Sequence, residues 1–111
     1  KAISIKNPFA TQIMRGTKNI EYRTWDTKHR GDLLICSSAN PQVPGMMSGC
    51  ALCVVELVDN SMILQMMFMV ALEQRQKIKA FPVKGKLNFF EVDDALIHFA
   101  DEEHRNSQTS V

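Results

Sequence analysis

The sequence predicts an α+β fold: a small mixed β-barrel of five to six short strands, with an early helix and a short late helix. Two observations lead to this prediction. Several short runs alternate between apolar and polar residues, and Gly, Pro, Asn or Asp lies between successive runs. Closure into a barrel is a usual arrangement for many short strands joined by turns. The 111 residues suffice for one buried core, so we expect a single domain over residues 1–100 and a polar tail over residues 101–111.

The first part of the chain predicts a strand followed by a helix. Residues 2–6 alternate as a half-buried strand does. Asn7 is a good helix N-cap, Pro8 suits the first helical turn, and Gly16 ends the helix. The expected buried stripe of this helix comprises Phe9, Ile13 and Met14.

The second strand, residues 20–25, alternates again, and its two faces differ in character. One face carries Glu21, Arg23 and Trp25, and the other carries Ile20, Tyr22 and Thr24. We expect the second set to pack in the core and the first set to face a ligand cleft.

The remaining elements follow from the same two signals. Further strands are predicted at residues 33–38, 49–58, 73–80 and 87–92, a loop at 39–47, a turn at 81–86 and a helix at 95–99. Residues 61–72 are rich in Met and are compatible with either a helix or a strand.

The net charge is only +1, but the charges are unevenly distributed. Residues 1–35 carry +4 and residues 74–90 carry +5, whereas residues 36–73 carry −3 and residues 91–111 carry −5. If the fold brings the two basic segments together, their surface attracts phosphate groups; otherwise the lysines only solvate two exposed strands. The candidates for phosphate contact are Lys28, Arg30, Lys77, Lys79, Lys84 and Lys86.

The three cysteines do not predict a metal or redox site. Cys50 and Cys53 form a Cys-x-x-Cys pair, but their segment is typical of a strand, on which residues three apart point to opposite faces. We expect buried or half-buried thiols in a reducing compartment, no metal and no cofactor. The apolar run 62–72 is shorter than the roughly 20 residues of a bilayer span, and the N-terminus lacks a signal-peptide pattern. We therefore expect a cytoplasmic protein without membrane attachment.

Polar side chains concentrate around the turn into the second strand. Lys18, Glu21 and Arg23 can form a ligand site, because a carboxylate tunes a lysine and a guanidinium suits a phosphate or a base edge; alternatively, they form a structural ion-pair cluster. Glu56 lies in an apolar strand, so its charge is expected to pair, with Lys6 or Lys18, or to face the cleft. Trp25 can stack a base or close one barrel end. The candidate ligand-binding residues are Lys6, Pro8, Lys18, Glu21, Arg23, Trp25, Ser37 and Ser38.

Residues 2–25, AISIKNPFATQIMRGTKNIEYRTW, resemble the opening signature of ASCH domains, which are PUA-like β-barrels. The family pattern is a strand, Lys-x-Pro-Phe-Ala, a helix, Gly-x-Lys and then Ile-Glu-x-Arg-x-Trp. Three later segments of the chain resemble later segments of the family in the same order, namely GDLLICSS, GCALCVVELVD and IKAFPVKGKLNFFEVDD. The resemblance therefore covers residues 2–94. In relatives a longer segment follows the ELVD strand, and here only residues 60–66 take its place. Either this loop is short or a stretch is absent.

The resemblance implies an RNA-associated function, and some relatives are implied to be acetylcytidine amidohydrolases or ribonucleases. The amidohydrolase pattern is Gly-x-Lys-Thr-Ile-Thr-x-Arg, with a later Glu that completes a Lys–Thr–Glu triad. Lys18 matches the lysine and Glu56 fits the later glutamate, but Glu21 takes the place of the nucleophilic threonine. Thr24 lies on the opposite strand face and does not replace it. The resemblance thus favours binding over amidohydrolase activity.

Taken together, these patterns predict a monomeric module that binds RNA or a nucleotide-like ligand, with a link to transcription or RNA metabolism. One alternative is a small hydrolase acting on RNA or a modified nucleoside, with Lys18, Glu21 and Glu56 as catalytic residues. Another is a protein-interaction subunit of the transcription coactivator type, which binds a protein partner.

Overall fold

One six-stranded sheet and one α-helix make up the fold. The computed structural model describes residues 1–24, 27–64 and 67–100, with the backbone alone for residues 62–64 and 67–69. The strands are β1 (Ala2–Ile5), β2 (Ile20–Arg23), β3 (Gly31–Ser37), β4 (Cys50–Leu64), β5 (Met67–Pro82) and β6 (Phe89–Phe90). Helix α1 spans Phe9–Arg15, and a 3₁₀ turn spans Asp94–Leu96. The predicted fold class is confirmed.

The sheet has the strand order β2-β5-β4-β3-β1-β6. Strands β1 and β3 are parallel, and the other neighbours are antiparallel. The sheet curls into a half-barrel, so that β2 at one end approaches β1 near the other end. The guanidinium Nη2 of Arg23 donates to the backbone oxygen of Ser4 at 3.4 Å across this approach. Among the described residues no ladder joins β2 to β1, so the sheet is open there.

Both faces of the sheet are covered by apolar side chains. The inner cluster lies between the sheet and α1, and its largest members are Ile3, Ile5, Ile13, Leu33, Ile35, Leu52, Leu57 and Leu72. The outer cluster contains Leu34, Cys36, Val54, Ile78 and Phe90, over which Val92, Ile97 and Phe99 pack. Burial of both faces explains the unbroken apolar run of β3, because a strand covered on both sides needs no polar alternation.

The start of α1 is held by a buried asparagine, although not in the predicted way. The N-cap position is Pro8, whose own side chain makes no capping hydrogen bond. Asn7, predicted as the N-cap, accepts hydrogen bonds at Oδ1 from the backbone nitrogen and from Oγ1 of Thr11, at 3.2 and 2.8 Å. Its Nδ2 donates to the backbone oxygen of Met47 at 2.9 Å. Asn7 therefore ties the helix to the loop before β4. Gly16 ends the helix at a positive φ of 83°, as predicted.

The second half of the chain differs most from its predicted elements. Of the ambiguous residues 61–72, residues 61–64 and 67–72 belong to strands β4 and β5, whose pairing continues to Leu64 and Met67, and residues 65–66 lie outside the described part of the chain. Strand β5 also takes in Phe81 and Pro82, which were predicted to form a turn. Strand β6 is reduced to two residues, and the predicted late helix is a single 3₁₀ turn. No helix in the described part of the chain is long and apolar enough to cross a bilayer.

Candidate functional site

An open cleft lies where the curled sheet fails to close. It occupies about 840 Å³ between β2, the end of β1 and the segment 83–88 that precedes β6. Its polar lining includes Ser4, Lys6, Glu21, Arg23, Ser38 and Lys84. Because β2 is an edge strand, its inward-facing positions border this cleft rather than packed core, and polar residues can occupy them.

The floor of the cleft, meaning the least exposed charged residues of its lining, consists of Glu21 and Arg23. They share a charge cluster with Lys18, which lines a neighbouring pocket instead. Oε1 of Glu21 lies 4.0 Å from Nζ of Lys18, and its Oε2 lies 3.6 Å from Nη2 of Arg23. The side chains are 12% exposed for Glu21, 18% for Lys18 and 26% for Arg23. The expected proximity of the three residues is thus observed, with Glu21 as the shared partner. These separations indicate electrostatic pairing, since they exceed the hydrogen-bond range.

The cluster does not use its full hydrogen-bonding capacity. Nε of Arg23 is buried and has no hydrogen-bond partner among the described residues. Oε1 of Glu21 accepts from the backbone nitrogen of Tyr22 at 3.1 Å, whereas Oε2 accepts no hydrogen bond from the described part of the chain. Buried polar groups in proteins are nearly always hydrogen-bonded. Glu21 and Arg23 therefore keep unused hydrogen-bonding capacity, and both residues line the open cleft.

Two exposed aromatic rings flank this cluster, and the sequence interpretation missed both. Phe9 and Tyr22 line the cleft and are 47% and 51% exposed. Nζ of Lys18 lies 5.4 Å from the centre of the Phe9 ring and 5.7 Å from that of Tyr22, within the range of cation–π attraction. The core placement of Phe9, Tyr22 and Thr24 is wrong, since Thr24 is exposed as well. The exposure of Tyr22 could have been predicted from its alternation with Glu21 if β2 had been recognised as an edge strand.

The other candidate ligand residues separate into two groups. Lys6 and Ser38 line the cleft, and Oγ of Ser38 lies 3.0 Å from Oγ of Ser4. Ser37 is buried instead, where its Oγ donates to the backbone oxygen of Cys50 and accepts from the Cys50 nitrogen. Pro8 lies at the start of α1, away from the cleft lining. Trp25 lies outside the described residues, and its role stays a prediction.

Glu56 does not join the cluster. It pairs in register with Asp32 and Glu73, and its neighbours Val55 and Leu57 belong to the inner cluster. Strand alternation therefore directs Glu56 to the outer face of the sheet. It forms no ion pair within the described residues, so the expected pairing with Lys6 or Lys18 is wrong. Glu56 is half-buried, unlike its buried neighbours Val55 and Leu57.

The predicted basic rim is divided between two surfaces. Lys84 and Lys86 line the cleft with Lys6. Lys77 and Lys79 lie on β5, outside the cleft lining. Lys28 and Arg30 belong to the segment before β3, where Nη1 of Arg30 donates to the backbone oxygens of Thr27 and His29. Only part of the predicted phosphate-contact set thus faces the cleft.

The family of the chain follows from its match to a known domain. A sequence model described as the ASCH domain matches residues 3–86, which is most of the chain and includes both walls of the cleft. The chain belongs to the ASCH domain family. The predicted resemblance is confirmed.

Known proteins similar to this ASCH domain include one human protein. The chain is 40% identical over 42 residues to Activating signal cointegrator 1 of Homo sapiens. The matched segment is 38% of this chain but only 7% of that protein, so the chain corresponds to a small part of its length.

Two crystal structures of ASCH proteins have the same fold as this chain. They are ASCH from Zymomonas mobilis and a point mutant of it, each with a TM-score of 0.58. The mutant is 14% identical, with 99% of this chain and 96% of that chain covered. The other is 13% identical, with coverages of 99% and 93%. At these identities the similarity concerns the fold alone.

The cysteines of this ASCH domain are thiols, and none of the described residues form a group of three or more metal-ligating side chains. Burial raises the pKa of the Cys36 and Cys53 thiols to about 12. Proximity to Cys50 adds to the rise at Cys36, whereas the Arg75 guanidinium partly opposes it at Cys53. Cys50 is only half-buried.

We expect a thiol reagent at pH 8 to modify Cys50 first, and Cys36 and Cys53 only after unfolding, because the reactive species is the exposed thiolate. Mass spectrometry of native and denatured samples would measure this order.

The folded state also keeps the thiol protons of Cys36 and Cys53 above the pH at which the unfolded chain loses them. Their contribution to stability is therefore complete below pH 9.0 and is lost as the pH rises toward 12. Equal modification rates for all three cysteines in the native protein would contradict the expected order of modification.

Proposed function

We propose that this ASCH domain binds single-stranded RNA, or a nucleotide-like ligand, in the cleft beside β2. The observation that carries the proposal is the unused hydrogen-bonding capacity of Arg23 and Glu21 at the floor of an open cleft. A purely structural ion-pair cluster would be expected to satisfy its own buried donors.

The walls of the cleft support the same proposal. Phe9 and Tyr22 are exposed aromatic side chains that can stack nucleobases, which contributes about 1–3 kcal/mol per base. Lys6, Lys84 and Lys86 provide positive charge along the rim, where phosphate groups of a bound strand would lie. Aromatic rings beside a cationic groove are the usual combination in single-strand binding proteins.

The rim provides the test of this proposal, because the chain offers a matched control. We expect wild-type protein to bind single-stranded RNA at low salt, and the double variant Lys84→Ala/Lys86→Ala to bind more weakly. Each phosphate contact removed should reduce the magnitude of the negative slope of log K against log[salt] by about 0.7. Fluorescence anisotropy over a series of salt concentrations would measure both quantities.

The double variant Lys77→Ala/Lys79→Ala removes the same charge from β5, outside the cleft lining, and is expected to keep the wild-type slope. If the two double variants weaken binding equally, long-range charge rather than the cleft governs association. Absence of RNA binding by the wild type even at low salt would contradict the proposal.

A hydrolase is the second candidate, because Lys18 and Glu21 form a half-buried ammonium–carboxylate pair at 4.0 Å. The arrangement lacks the other partner that the amidohydrolase pattern implies, since Glu56 faces the outer side of the sheet. Incubation with RNA and with acetylcytidine would detect this activity. A turnover that is unchanged in Lys18→Ala would exclude Lys18 as its catalytic residue.

The similarity to Activating signal cointegrator 1 supports a role linked to transcription, in which the domain contributes to RNA metabolism or binds a protein partner. Retention of a copurifying partner after nuclease treatment would favour a protein partner. Loss of that partner would favour RNA.

A further inference from the structure

The most buried charge in the cleft has the wrong sign for a phosphate. The Glu21 side chain is only 12% exposed and lies at the floor, whereas Lys6, Lys84 and Lys86 are exposed at the rim. A phosphate placed against Glu21 would meet a like charge in a poorly solvated position, and the nearest cations, Lys18 and Arg23, already face the Glu21 carboxylate at 4.0 and 3.6 Å. The floor therefore suits a neutral group that donates hydrogen bonds, and the rim suits the phosphates.

The unused hydrogen-bonding capacity of Glu21 and Arg23 defines which hydrogen-bond donors and acceptors that group needs. Oε2 of Glu21 accepts no hydrogen bond from the described residues, and Oε1 keeps a second lone pair beside its hydrogen bond from Tyr22. Nε of Arg23, on the neighbouring inward position of the same strand, is buried and has no partner among the described residues, so the guanidinium has donor capacity left. Nη2 of this guanidinium lies 3.6 Å from Oε2 of Glu21, so the guanidinium and the carboxylate lie side by side. A complementary ligand edge presents two adjacent donors followed by one acceptor.

Among the common nucleobases, guanine has this edge. Its N1–H and 2-amino groups are adjacent donors, and its O6 is the acceptor beside them. Adenine and cytosine each present one amino donor next to a ring-nitrogen acceptor, so they can make two of the three hydrogen bonds. Uracil places its single N–H between two carbonyl oxygens, one of which would face the carboxylate.

We propose, building on the proposed function, that Glu21 and Arg23 together select an unpaired guanine. The Glu21 carboxylate accepts from N1–H and from the 2-amino group, and the Arg23 guanidinium donates to O6. The guanine must be unpaired, because these are the atoms that base pairing occupies. The exposed ring of Phe9 or Tyr22 lies on the cleft wall and stacks the same base.

The test uses oligouridines that differ at one central position, measured by fluorescence anisotropy at fixed salt. We expect guanine to bind about tenfold or more tightly than adenine, cytosine or uracil, since a bidentate base contact contributes about 1–3 kcal/mol of discrimination. Inosine lacks only the 2-amino group and should bind between guanine and adenine. The analogue 7-deazaguanine keeps the pairing edge and should bind as guanine does. This series uses wild-type protein and is independent of any effect of mutation on folding.

The variant Glu21→Gln tests the assignment to this residue. An amide presents one acceptor and one donor, so the preference for guanine over inosine should disappear. Affinity for oligouridine without guanine should stay the same or rise, because a negative charge is removed from the cleft.

Equal affinities for guanine, inosine and adenine in the wild type, with clear RNA binding, would overturn this inference and leave the proposed function intact. An unchanged guanine preference in Glu21→Gln would overturn it as well. Absence of binding to every oligonucleotide would overturn the proposed function and this inference with it.

Discussion

Replacing Leu57 by alanine is expected to lower the free energy of unfolding by about 2–5 kcal/mol, the usual cost of emptying a buried leucine site. Leu57 is fully buried in β4, where it belongs to the inner cluster between the sheet and α1. Its strand partners are Gly31 in β3 and Leu72 in β5, so the cavity would open at the centre of the sheet. Rigid ladders on both sides limit any collapse of the site. Urea denaturation followed by circular dichroism would measure the change.

The control for this prediction is Leu87→Ala, which removes the same atoms from a side chain that is 92% exposed. Its effect on the free energy of unfolding should be within about 0.5 kcal/mol of zero, as for most surface substitutions. Similar losses for the two variants would contradict the position of the core described above.

Replacing Arg23 by alanine is expected to weaken RNA binding about 10- to 150-fold, the equivalent of about 1.5–3 kcal/mol for a hydrogen bond to a charged group. The reason is that Arg23 combines a free buried Nε with a position on the cleft wall. It is also the residue that approaches Ser4 across the open side of the sheet. The dissociation constant for single-stranded RNA at low salt is the quantity to measure.

Two further variants separate the geometry of Arg23 from its charge. Arg23→Lys keeps the positive charge but loses the planar fork, so we expect it to restore only a small part of the affinity. Arg75→Ala removes an exposed arginine on β5 that lies beside Gly16, outside the cleft lining. It should leave RNA binding nearly unchanged. Full recovery of affinity in Arg23→Lys would mean that charge alone acts at this position.

Stability measurements on the same variants address the structural alternative for the cluster. Ion pairs near the protein surface contribute little to stability, about 0–1 kcal/mol. If the cluster served only to close the sheet, Arg23→Ala would lower the free energy of unfolding while RNA affinity stayed the same. The proposed function instead predicts that Arg23→Ala lowers RNA affinity strongly and changes the free energy of unfolding little.

Strand periodicity predicted the placement of Glu21 and Arg23 on one face of β2, and the structure has both on the cleft side. It failed for Tyr22 and Phe9 because an apolar residue at a regular spacing was assumed to meet the core. On the edge strand β2, Glu21 and Tyr22 both line the cleft, although the Glu21 side chain is 12% exposed and Tyr22 is 51% exposed. Alternation within a strand gives the two faces but not which of them is covered.

The length of the β4–β5 hairpin could not be predicted for a similar reason. Residues 61–72 have no clear period of two or 3.6. The strand conformation of residues 61–64 and 67–72 depends on cross-strand hydrogen bonds between segments that the local pattern does not relate. Glu56 shows the same limit, since its position beside Asp32 on the outer face depends on which face of β4 packs against α1.

The sequence by itself determined the fold class, the ASCH family, the course of α1 and β1–β3, and the density of charge at Lys18, Glu21 and Arg23, because these depend on local periodicity and on residues close together along the chain. Only the tertiary structure decided that the sheet stays open between β2 and β1, that Phe9 and Tyr22 border this opening, and that Glu56 and Ser37 lie elsewhere. These features depend on how far the sheet curls and on which face α1 covers. Both are set by long-range packing, which no local pattern along the chain records.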